Sequence, residues 1–136
     1  MSDKTTDPMD EGSPIATYSR AEAIADGVLV AVPEEAQRQA GLGWPTALSE
    51  MVHTRCVTWN GDQEVEASRL RALLRSANSA VRSAMGQGRT YPHVAFTFVF
   101  EEVDSPGTGR ETQLVAVRGI GDDRERVMTV VFLRED

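Results

Sequence analysis

The sequence predicts an α+β domain. Short helices and one buried strand come first; a long amphipathic helix over about 66–85 then packs on a three-stranded antiparallel meander over about 92–134. Three observations carry this. Placed at 100° per residue, Leu70, Leu73, Leu74, Ala77, Ala80, Val81 and Ala84 fall in one arc of roughly 120°, the apolar stripe of a core-facing helix. After Gly86-Gln87-Gly88 the period drops to two: Val94, Phe96, Phe98 and Phe100 alternate with His93, Ala95, Thr97 and Val99. Finally, Asp104 to Gly109 and Ile120 to Asp123 read as turns separating that strand from runs at Leu114–Val117 and Val127–Leu133.

The remaining elements follow in chain order. Residues 1–16 have little to bury and are expected to be a disordered tail, leaving 17–136 as a single domain that begins near Tyr18. Ser19-Arg20-Ala21-Glu22 fits a capping box, so a short helix over about 20–26 is expected, stopped by Gly27. Val28 to Val32 is an unbroken apolar run, consistent with a buried strand. Pro33, Glu34 and Glu35 suit the first turn of a second helix that ends at Gly41 or Gly43. Leu48, Met51, Val52 and Cys56 have helical spacing, which predicts a helix over about 45–57 broken by Asn60-Gly61-Asp62.

Composition narrows the function classes. The 136 residues are 40% apolar and 26% charged, ordinary values for a globular chain. No run resembles a membrane span or a secretory leader, so a cytoplasmic protein without membrane contact is expected. The one cysteine rules out an internal disulfide and a multi-cysteine zinc site. The net charge of −7 argues against direct nucleic-acid binding. That charge is uneven: residues 67–100 carry Arg69, Arg71, Arg75, Arg82 and Arg89 with no acid, while each flanking segment is negative.

Two surfaces are candidates for partner binding. Arg71, Arg75 and Arg82 lie within about 40° of one another, opposite the helix's apolar stripe, and make a basic face for a partner or a second copy of the chain. Glu101, Glu102, Asp104 and Glu111 gather at one hairpin end, where their carboxylates are expected to converge. Clustered acids here and at Asp122-Asp123 suggest calcium, but the spacing of a calcium-binding loop is missing. No metal, cofactor or catalytic residue is therefore assigned. Glu50, His53 and Cys56 recur every three residues and could form an activated thiolate, yet a cysteine on an apolar face more often packs as a small hydrophobe. Gly41-Leu42-Gly43 and Gly86-Gln87-Gly88 follow helices rather than strands, the wrong order for a phosphate-binding loop.

One family resemblance rests on particular blocks. Tyr18 to Val30, Ala40-Gly41 with Trp44 to Leu48, Cys56 to Trp59, Arg69-Leu70 and Val127 to Leu133 resemble a bacterial domain-of-unknown-function family of small proteins, carried on plasmids, phages and other mobile elements. The resemblance spans about 18–136 and is most specific in its first block. It supplies no catalytic motif, so no residue takes a role from it. It implies a context, since accessory proteins of mobile elements often counter host defence. The leading expectation is an acidic protein, not an enzyme, that binds a host protein or complex; an anti-CRISPR-like inhibitor would set its carboxylates in a nucleic-acid channel in place of phosphates. The alternatives are a small enzyme or ligand-binding domain using His53, Cys56 and His93, or an oligomeric scaffold such as a homodimer.

Overall fold

The structure is a computed structural model and describes residues 19–88 and 92–134. The expected tail over 1–16, the start at Tyr18, and Arg89 lie outside the described residues. The chain forms α1 (Arg20–Ala25), β1 (Leu29–Ala31), α2 (Glu34–Gln39), β2 (Thr46–Ser49) and α3 (Glu50–Val52), which runs into a π-helical turn, His53–Val57. The long helix α4 (Gln63–Gly86) follows, then β3 (His93–Glu102), β4 (Ser105–Ile120) and β5 (Arg126–Phe132). The fold is α+β: a five-stranded mixed sheet in the order β1-β2-β5-β4-β3, with one long helix and several short ones.

The helix ends are set locally. Ser19 and Glu22 form the reciprocal capping box, so each side chain satisfies a free N–H at the start of α1. The Asp62 carboxylate accepts from the Val65 N–H to begin α4, and Glu64 and Glu66 sit in its first turn. On one face of the sheet, Leu73, Leu74, Ala77 and Val81 of α4 share a buried cluster with Phe98, Phe100, Leu114, Val130 and Phe132. α1 lies on the opposite face. Its Arg20 guanidinium reaches Thr129 Oγ1 (2.8 Å) and the Met128 carbonyl (2.9 Å), and Ala23, Ala47, Val115 and Val127 are buried outside the main cluster. The sheet therefore has helices on both faces.

Four expectations need correction. Residues 46–49 are a strand, with helix only from Glu50. Thr46, Ala47, Leu48 and Ser49 are all buried, because β2 pairs with β1 on one side and β5 on the other and is covered on both faces. Such a strand shows no alternation, and four residues are too few to separate it from a helical stripe. The Val28–Val32 run is a sheet edge instead of a buried strand: β1 has one neighbour among the described residues, and Val28 is 52% exposed. The antiparallel meander β3-β4-β5 is present, but it is three-fifths of a larger sheet extended by the parallel β2–β5 pairing. Finally, β4 starts at Ser105, so the hairpin turn shrinks to Val103-Asp104, with a bulge between Glu101 and Glu102.

Candidate functional site

The two candidate surfaces differ most in what already occupies their charges. Arg71 and Arg82 line grooves between α4 and the α2 segment, and Arg75, exposed, lies between them on the same helix face. None of the three forms an ion pair among the described residues. α2 docks against this flank through Asn78, whose amide Nδ2 donates to the Ala40 carbonyl at the helix end (3.1 Å). Gly41 follows with φ of +80°, a left-handed conformation that favours glycine at this helix end. The dock divides the flank into two open grooves. One, of about 500 Å³, holds Arg71 beside Glu35, Gln39, His53 and Glu66. The other, of about 530 Å³, is walled by Leu42, Trp44, Val81, Arg82 and Met85. The second groove, apolar but for Arg82 and Asn78, is what an anchoring side chain from a partner requires.

The acidic hairpin end is assembled differently from the expectation. Glu102 lies on the α4 side of the sheet between two arginines, with Arg110 Nε 2.9 Å and Arg55 Nη2 3.2 Å from its carboxylate. Arg55 is itself held over the rings of Phe100 (5.6 Å) and Phe132 (5.3 Å). Glu101, across the bulge, accepts from the Gly107 N–H on its carboxylate (3.0 Å) and lines the groove that Cys56 and Arg69 share. Glu111, opposite Val99 in the β3–β4 ladder, and Asp104 in the turn are both exposed. Glu101 and Glu102 are thus held by different partners, and two basic side chains neutralise Glu102. The four acids do not converge.

The groups weighed for catalysis are also kept apart. His53 faces the groove shared with α2, Cys56 lines a groove beside β3, and His93 stands exposed on the outer face of β3. Cys56 is fully buried. Burial pushes its thiol up to about 11, against a partial opposing pull from Arg55 and Arg69. At neutral pH it is a packed thiol and a poor nucleophile. Among the described residues, no three His, Cys, Asp or Glu side chains are grouped to hold a metal ion. Comparison with protein-family models, with curated proteins and with solved structures found no match.

Arg69 and Asp122 also hold the fold, roles that the sequence alone does not assign. Arg69 donates from Nε to the Val57 carbonyl and from Nη2 to the Arg55 carbonyl (3.1 Å each), capping the π-helical turn, and lies 4.7 Å over the Trp59 ring. Asp122 accepts from the Arg20 and Ala21 N–H groups (2.9 and 3.0 Å), which ties α1 to the β4–β5 turn. Those two hydrogen bonds hold its carboxyl below the usual carboxylate range. Nothing local in the sequence announces this contact, because its partners are about a hundred positions apart.

Proposed function

We propose that this chain works by binding a protein and not by catalysis, and that its working surface is the arginine flank of α4 with the two grooves beside it. The observation that carries the reading is the contrast in pairing. Arg71, Arg75 and Arg82 make no ion pair among the described residues, while Glu102 at the acidic hairpin is already held by Arg55 and Arg110. A guanidinium left unpaired on a rigid helix presents its donor fork ready for a carboxylate, so the partner should offer an acidic patch with an apolar side chain to enter the Trp44–Met85 groove. The family resemblance suggests that the partner is a host protein or complex and that the chain serves a mobile element in the cytoplasm, against host defence. One observation favours a second reading, the phosphate-like inhibitor of an effector such as a CRISPR complex: Glu101, Asp104 and Glu111 remain exposed at one end of the β3–β4 hairpin.

Affinity capture from the native host separates the two. Arg75→Glu and Arg82→Glu, combined with Arg71→Gln, should abolish recovery of the partner, while Glu101→Lys, Asp104→Lys and Glu111→Lys should leave it intact. Glu102 stays unchanged in the second set, since replacing it would strand Arg55 and Arg110. Association should also slow as salt rises, because exposed charges are screened beyond about 8 Å at physiological ionic strength. Loss of the partner with the acid set alone would overturn the arginine reading in favour of the charge mimic.

A further inference from the structure

We infer that the free edge of β3 is a homodimer interface, on which a second copy of this chain pairs its own β3 antiparallel to form a continuous ten-stranded sheet. β3 is the last strand of the sheet, and no strand pairs with its outer side among the described residues. Two hydrogen bonds show which of its backbone groups are free. Arg118 N–H donates to the Pro92 carbonyl and Leu133 N–H to the Gln113 carbonyl, so even-numbered residues of β4 face β3 and odd-numbered ones face β5. By the ladder register, Val94, Phe96, Phe98 and Phe100 spend their N–H and C=O groups on β4. His93, Ala95, Thr97, Val99 and Glu101 turn theirs to the open edge, and all five are exposed.

That row is complementary to itself. With a two-fold axis through Thr97, His93 falls opposite Glu101 of the second copy, Ala95 opposite Val99, and Thr97 opposite Thr97. Each pair exchanges both of its N–H···O bonds. An imidazole thus meets a carboxylate at both ends, small apolar groups meet between them, and the hydroxyls meet at the centre, all cross-strand pairs of the stabilising kind. An isologous contact of this sort closes on itself and covers the β3 edge of both copies.

The layer beneath accommodates a second copy. The flank of α4 below this edge starts with Val65, Arg69 and Ala72, which wall an open groove of about 340 Å³ against Phe98 to Glu101. It continues at helical spacing through Ser76, Ser79 and Ser83. The two-fold would bring two α4 helices side by side, and from Ala72 onward only small side chains lie between them. The groove itself is where the partner's Val94 and Phe96 arrive. This surface is separate from the arginine flank, so its test does not depend on the function proposed above.

The test is sedimentation equilibrium of the full chain over a concentration series to about 1 mM. The wild type should dimerise. Thr97→Lys, at an exposed position on the two-fold, should yield a monomer, because it opposes like charges directly. Thr97→Glu should do the same, and an equimolar mixture of the two variants should dimerise again, a rescue that general damage to the fold would not produce. Thr97→Cys should form an interchain disulfide on mild oxidation, as opposed residues of such a pair have Cα atoms about 5.5 Å apart. A wild type that stays monomeric throughout, leaving the edge to a strand from another protein, would overturn the inference. A dimer indifferent to Thr97→Lys, or a mixture that fails to reassociate, would do so equally.

Discussion

Cys56 makes stability depend on pH in a window where the direction can be worked out. Its thiol is raised from an ordinary value of 9.0 to about 11, chiefly by burial. Between those values an unfolded chain carries a thiolate and the folded one a thiol. The native state then binds more protons, and stability falls as pH rises. At one unit above the unfolded value the loss is about 1.4 kcal/mol, tending to about 2–3 kcal/mol once both states ionise. Cys56→Ala removes that titration and costs about 1 kcal/mol through lost packing in the core. Urea denaturation followed by Trp44 and Trp59 fluorescence should therefore find the wild type ahead of the variant at pH 7. The gap should close near pH 10 and reverse above it. Groups common to both proteins cancel in the difference. A gap that stays constant from pH 7 to 10.5 would refute the reasoning, as would rapid labelling of the native thiol at pH 8, which would show Cys56 accessible and ionised.

Other consequences concern the core, the α1 clasp and the cap on the π-helical turn. Leu73→Ala and Leu74→Ala each empty a site with no solvent exposure and should each cost about 2–5 kcal/mol in urea denaturation. Asp122→Asn removes the charge that accepts the Arg20 and Ala21 N–H groups, so hydrogen exchange at those two amides should accelerate while α4 amides stay protected. The Asp122 carboxyl titrates low in the folded state, so its contribution in the wild type is present above the unfolded carboxylate range and lost as pH falls through the folded value; the variant should lack that acid dependence. Arg69→Met keeps the length over Trp59 but strands the Arg55 and Val57 carbonyls, and its loss should exceed the ~0.5 kcal/mol of an ordinary surface change in the same denaturation assay.

The sequence by itself determined what depends on neighbours a few positions apart. The Ser19–Glu22 capping box, the stripe from Leu73 to Ala84 and the alternation from Val94 to Phe100 are local periodicities, and a helix or strand must express them wherever it packs. The clustering of Arg71, Arg75 and Arg82 on one face was legible for the same reason: helical geometry alone dictates it. What only the tertiary structure decided is what those elements meet. Thr46–Ser49 became a strand because β1 and β5 flank it, a fact absent from its four residues. Arg55 and Arg110 close on Glu102 across the fold, Arg69 folds back on the π-helical turn, and Asp122 reaches the start of α1. Charge counted along the chain could not tell these spent groups from free ones, since pairing is set by distances between elements that the order of residues does not specify. For the acids of the β3–β4 hairpin, a shared turn promised convergence, but Glu101 is held by the Gly107 N–H and Glu102 by Arg55 and Arg110.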